Sequence, residues 1–183
     1  MGGWWWVVAA LVLLALVGLY LSMTAGRLDR LHRRIDNSHH SLDMQLLRRS
    51  ALVLDMTASG VFDPATAVVL ADSAHGARAA SEEDVVARGL AESDLTRVLV
   101  EAIPDAQEAD DLREAAPDPT MLDDLRSTCV RVQLSRRFHN DAVRACRQVR
   151  RQRLVRWLSL AGHTPWPETV EMDDTPPPGL TAR

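Results

Sequence analysis

The sequence predicts an all-α protein: an N-terminal transmembrane helix, then an antiparallel four-helix bundle with long first and last helices. Three observations point there. Residues 4–23 carry no charge. Beyond them, apolar residues recur at the three- and four-residue steps of a helix face. Nothing alternates as a half-buried strand does, and Ala, Leu, Val and Arg dominate the 183 residues.

The uncharged stretch, WWWVVAALVLLALVGLYLSM, spans roughly 30 Å as a helix, the depth of a bilayer's hydrocarbon core. Trp4, Trp5 and Trp6 at one end and Tyr20 near the other suit its two interfaces. A cleaved signal would need a basic start and a small-residue cleavage site. The start here is Met-Gly-Gly and no such site follows, so residues 1–26 read as a retained anchor in the lipid bilayer. Arg27, Arg30, Arg33 and Arg34 come directly after it. The positive-inside rule then puts the soluble domain in the cytoplasm and the N-terminus outside.

Gly26 marks a soft joint. The first bundle helix follows with an apolar stripe of Leu28, Leu31, Ile35, Leu42, Leu46 and Val53. From Leu42 onward Met44, Leu47 and Ala51 make the other side apolar too, which predicts packing against more than one neighbour. Ser59 and Gly60 stop it. Asp63-Pro64 and Asp118-Pro119 read as helix starts, because Asp caps well and Pro fits the first helical position. The first pair opens a helix to about Ala80. Ser81 with Asp84 resembles a capping box and opens another to about Ile103, closed by Pro104. Residues 105–117 read as an acidic loop with one helical turn. Asp118-Pro119 opens the last helix, to about Ala161, ended by Gly162. It would be roughly 65 Å long. The bundle therefore covers 27–161. Residues 162–183 hold five of the nine prolines and read as a Pro-rich acidic tail, extended, coreless and disordered.

The net charge of −4 conceals segregation. Residues 61–125 carry 16 acidic residues against 4 Arg, and residues 126–156 carry 10 Arg against Asp141 alone. Pairing between these segments is the plainest expectation. Every basic residue is Arg, as GC-rich coding would give, so the choice of Arg over Lys carries no functional weight. Cys129 and Cys146 on one helix would stand roughly 25 Å apart, beyond the ~7 Å reach of a disulfide. Reduced thiols are expected.

Candidate chemistry is sparse. In RRFHNDAVR (136–144), His139, Asn140 and Asp141 are consecutive, but helical neighbours point about 100° apart. They cannot converge on one atom, and bundle packing is the default role. His32 and His39 sit roughly 10 Å apart along a helix, too far for one ion. His39 and His40 diverge. No paired CxxC, helical His pair, Glu-x-x-His or nucleophile elbow occurs. No catalytic residue, metal or cofactor is expected. The most suggestive surface is basic: Arg147, Arg150, Arg151, Arg153 and Arg156, followed by Trp157. In an up-down bundle the last helix returns to the membrane, where these residues would meet anionic lipid. Nucleic acid is the weaker reading, because the chain is acidic overall and shows no known module.

Two stretches together resemble the LemA family. In LHRRIDNSHHSLDMQLLRR (31–49), Arg34, Asp36, Asn37, Leu42, Asp43, Gln45, Leu46, Arg48 and Arg49 match its early helix. In RRFHNDAVR, Phe138, Asn140, Asp141, Ala142 and Val143 match its late helix, with His139 where the family more often has Tyr. EAIPD (101–105) is similar to a segment closing the third helix. The likeness spans roughly residues 5–150. The Ile-Pro-Asn-Leu after the basic pair is missing, and the tail is not the family's apolar ending, so a divergent member or sister family is indicated. The resemblance implies a membrane-tethered helical bundle and brings no catalytic residues. Asn37, Asp43, Gln45, Asn140 and Asp141, with Arg48 or Arg49, would form a polar network between the first and last helices. His139 is expected to matter least. The functional expectation is a non-enzymatic scaffold or adaptor with a protein partner or a second copy of itself. The alternative is a lipid- or nucleic-acid-binding module using residues 144–156.

Overall fold

The uncharged run folds as helix, and the helix does not stop where the charges begin. The computed structural model describes residues 3–81, 84–157 and 164–181. In it α1 runs unbroken over Gly3–Ser59. Gly26 is an ordinary helical position, not a joint: a Cβ there would meet only the end of Arg30, at 3.8 Å. One glycine costs a helix only about 1 kcal/mol against Ala, and Thr24 donates to the Tyr20 carbonyl at 2.8 Å just before it. The apolar window has a mean hydropathy of 2.4 and is 6% buried. The helix is long and apolar enough to cross a membrane.

Local signals set most of the remaining boundaries. Gly60, at φ 79°, ends α1 in the left-handed region that glycine enters freely. Asp63 caps α2 (Pro64–Ala79), its carboxylate accepting from the N–H groups of Ala65 and Thr66. α3 (Val85–Ala102) is capped by Asp84, which accepts from Ala87 N–H at 2.9 Å. Ser81 therefore precedes the helix and is not its cap. The acidic 105–117 stretch holds more helix than one turn. Asp105 caps α4 (Ala106–Ala115), and Ala109 and Leu112 bury one side of it. Asp118 organises the next start by accepting from Thr120, and α5 runs Met121–Arg150. It is shorter than expected: a turn at Arg151 and Gln152 precedes α6 (Arg153–Trp157). The expected stop at Gly162 lies outside the described residues. α7 (Pro178–Thr181) is the last helix among the described residues. No strand occurs among the described residues.

The chain divides into two compact units. The first comprises Met1–Asn37 and Asp141–Thr169. Its core is Leu28, Cys146, Val149 and Val155, with Leu31 and Ile35 against them. Within it, Arg147 donates to the Pro167 carbonyl (2.7 Å), and Arg150 donates to those of Pro165 and Thr164. The Arg150 guanidinium also lies over the Trp166 ring, 5.0 Å from its centre.

The second unit comprises Ser38–Asn140 and Val170–Arg183. Its core draws Val53 and Met56 from α1, Leu70 and Ala74 from α2, and Leu95 and Leu99 from α3. Leu112 of α4, Leu122 and Leu125 of α5 and Leu180 of α7 complete it. The last of these corrects the expectation of a disordered tail. Val170 and Leu180 are buried and residues 170–177 lie against the helices. Proline stops helix and strand ladders, but it does not stop an extended chain from docking. Met44 and Leu47, expected to pack, are exposed, as are Val130, Leu134 and Phe138 on α5.

Both cysteines are free and buried on α5. Burial pushes both thiols above their ordinary value of 9.0, which leaves them poor nucleophiles at neutral pH.

Candidate functional site

Three helices of the second unit each present a row of side chains at helical spacing. α1 offers Leu42, Leu46 and Arg49, α3 offers Gly89, Glu92, Ser93 and Thr96, and α5 offers Gln133, Arg136 and Asn140. Residues 170–177 lie along these rows as an extended peptide. Their burial alternates: Val170 is buried, Glu171 exposed, Met172 half-buried, Asp173 exposed, Asp174 half-buried, Thr175 exposed. That period of two is the signature of extended backbone against a surface.

The rows grip the peptide's backbone. Asn140 of α5 donates Nδ2 to the Val170 carbonyl (3.0 Å) and accepts the Val170 N–H at Oδ1 (2.9 Å). Gln133 donates to the Asp174 carbonyl, Thr96 to that of Asp173, and Ser93 accepts the Asp173 N–H. Gly89 lets the extended segment come close: a Cβ there would stand 2.3 Å from the Glu171 carbonyl oxygen. A helix-interior glycine costs about 0.5–1 kcal/mol, and this approach is what it permits. Side chains then set the register. Val170 and Met172 pack with Leu42, Leu46, Val85 and Val132. Asp174 is held by Arg136 through two bonds of 2.7 and 2.9 Å. Those bonds raise the Arg136 pKa. Thr175 donates its N–H to Asp173 (2.9 Å) and keeps that carboxyl below its ordinary 3.8, with Arg136 and Arg49 adding.

Beneath the peptide lies a buried ion pair. Arg49 Nη2 meets Glu92 Oε2 at 2.6 Å, both side chains almost fully enclosed. Arg49 Nη1 donates to Thr96 Oγ1 at 3.0 Å. At the edge, Asp43 takes His39 (2.9 Å) and Arg88 (2.8 Å). The space between these groups, Val170 and Met172 is about 10 Å³. That is room for about one water and not for an organic substrate.

Burial of Asp43 works to raise its pKa, but His39 and Arg88 outweigh it and hold the carboxyl below its ordinary 3.8. A depressed folded value contributes stability that is complete above the unfolded pKa and lost as pH falls through the folded one. Asp43→Asn should therefore flatten the acid limb of the stability profile below about pH 4, read by thermal melts from neutral pH downward. An unchanged limb would remove Asp43 from the acid transition.

The residues singled out in the sequence part company here. Arg49 enters the buried ion pair, Asp43 the part-exposed pairs at its edge, and Asn140 holds the tail. Gln45 Oε1 is buried with no hydrogen-bond partner among the described residues. Asn37 and Arg48 are exposed, and Asp141 is exposed and paired with Arg144. α3 and the tail, and not the first and last helices alone, supply partners to Asp43, Arg49 and Asn140. His139, expected to matter least, is 2% exposed, 3.3 Å from Ser38 Oγ and edge-on to His39 at 5.4 Å. Of the basic run, Arg147 and Arg150 bond backbone carbonyls of residues 164–167 rather than the acidic middle. Arg151, Arg153 and Arg156 are exposed, and the Trp157 side chain lies outside the described residues. No three His, Cys, Asp or Glu groups converge as a metal site among the described residues.

Sequence reasoning missed Gly89, Glu92, Thr96, Gln133, Arg136 and Asp174. Two signals were available: a glycine inside a helical pattern, which marks close backbone approach, and the alternation of Val170, Met172 and Asp174.

Asn140→Leu should cost about 2–4 kcal/mol, because it leaves the Val170 N–H and carbonyl unpaired. Asn140→Asp should also be costly at neutral pH, because a buried carboxylate oxygen then faces the Val170 carbonyl, and its cost should fall at acid pH, where the protonated acid can donate to that carbonyl. Urea unfolding at neutral and acid pH measures both, and an Asp variant whose cost does not change with pH would refute the two-bond account.

The chain matches no family model, no curated protein and no solved structure.

Proposed function

We propose that this chain is a single-pass membrane protein of LemA-like type whose helical region is a non-catalytic scaffold. The observation carrying the proposal is α1: one unbroken helix that is apolar and exposed at its N-terminal end and supplies core residues at its C-terminal end. An apolar run of membrane-spanning length and core-forming residues therefore lie on one continuous helix. In this reading the helices form an antiparallel bundle, the arginines after residue 26 lie on the cytoplasmic side, and the N-terminus lies outside. The exposed Val130, Leu134 and Phe138 stand at i, i+4 and i+8 on α5, as a contact stripe for a protein partner or a second copy would.

The test is crosslinking in native membranes after an alkaline wash. The chain should stay in the washed membranes and yield a discrete crosslinked species. Loss to the wash would refute the anchor, and a chain that never crosslinks would refute the scaffold. Arg151 in the turn before α6 and Arg153 and Arg156 within it, all exposed, favour a second reading as an anionic-lipid contact. Replacing all three by Gln should then lower affinity for anionic vesicles and leave neutral ones unchanged.

A further inference from the structure

Residues 170–181 lie on their helices as a peptide ligand lies on a receptor. We propose that the groove formed by Gly89, Ser93, Thr96, Gln133, Arg136 and Asn140 is a recognition site for an extended acidic peptide of a partner protein, occupied here by the chain's own C-terminal segment.

Three features carry this. First, the contacts from Asn140, Gln133, Thr96 and Ser93 all go to backbone groups of the segment. Such contacts accept any extended chain of suitable register, the division of labour seen when grooves bind peptides: main-chain bonds for affinity, alternate side chains for specificity. Second, the selective contacts fall at every second residue. Val170 and Met172 meet apolar side chains and Asp174 meets Arg136, so the sequence read is apolar-x-apolar-x-Asp. Third, the charges are complementary. Arg136 lines the groove and pairs with Asp174 of a segment that also carries Glu171 and Asp173, while Arg49 beneath is already paired with Glu92. Between Val170 and Leu180 much of the segment's surface stays exposed, as suits a docked strap. Covalent attachment gives the internal segment an effective concentration of the order of millimolar, so a partner peptide must exceed that advantage or arrive when the segment is released.

This names the partner class for the scaffold reading and rests on that reading for there being a partner. The test uses the chain's own peptide, so its failure leaves the membrane and crosslinking results standing. A protease site is inserted between Gly162 and His163 in the full chain, held in detergent micelles, and cut. A labelled synthetic peptide of residues 168–181 is then titrated by fluorescence anisotropy. Saturable binding is expected, at least about tenfold tighter to cut than to uncut protein. Asp174→Arg in the peptide should lose about tenfold or more, and the loss should be regained on an Arg136→Asp chain. Three results would overturn the proposal: a cut fragment that neither leaves nor exchanges, a chain that loses its helical circular dichroism as the fragment leaves, or a scrambled peptide that binds equally well.

Discussion

Glu92→Gln should lower the unfolding free energy by about 3–5 kcal/mol, the usual cost of leaving one buried charge without its partner. The reason is geometric. Glu92 and Arg49 face each other at 2.6 Å with 3% and 2% of their side chains exposed, so water cannot replace the missing carboxylate. Arg49 already has Nε buried without a hydrogen-bond partner among the described residues, which leaves no reserve. The double change Arg49→Met with Glu92→Leu should recover most of the loss, because a packed apolar pair of similar volume often equals a buried ion pair. Urea denaturation of the three variants gives the comparison. A single-variant cost under about 1 kcal/mol would place the pair in the weak, solvent-screened class.

Gly89→Ala sets two effects against each other. Ala favours the helix by about 0.5–1 kcal/mol. Its Cβ would stand 2.3 Å from the Glu171 carbonyl oxygen and 3.4 Å from the carbonyl carbon. Those atoms are backbone held on both sides, by Asn140 at Val170 and by Ser93 and Thr96 at Asp173. They cannot yield as the tip of a long side chain can. The clash should win, with a net loss of about 1–3 kcal/mol. Hydrogen exchange should separate this from a general loss of stability: the Val170 and Asp173 amides should exchange much faster while core amides of α2 change little. Unchanged exchange with a raised melting temperature would mean that the peptide does not lie over Gly89. Gly179→Ala should act similarly on α7, where a Cβ would stand 2.1 Å from the Asp105 carbonyl oxygen.

What was legible in the sequence had a local cause. Asp63 caps α2 through N–H groups two and three residues on, and Gly60 ends α1 by its own φ. Both can be read within one helical turn. The alternation of Val170, Met172 and Asp174 was equally local, but five prolines in the last segment pointed to a disordered chain and hid it. α4 was underestimated because its acidic residues suggested a loop, while Asp105 and the Ala109–Leu112 spacing were enough to make a short packed helix. α5 was overestimated because its helical composition continues past Arg150, where the turn at Arg151 and Gln152 intervenes.

The sequence by itself determined that this chain is helical, that its N-terminal helix is apolar over a membrane's depth, that its cysteines are unpaired, and where three of its helices begin or end. Each follows from composition, from periodicity or from a side chain bonding its near neighbours. Only the tertiary structure decided that Arg49 would face Glu92, that Asn140 would clasp Val170, that Gly89 would make room for Glu171, and that a proline-rich tail would dock. Those partners are far apart in sequence, and their meeting depends on the rotation of three helices about their own axes. No short-range pattern specifies that rotation. The packing of Leu95, Leu99, Leu122 and Leu125 in one core sets it, and the polar groove is what that packing leaves on the other side.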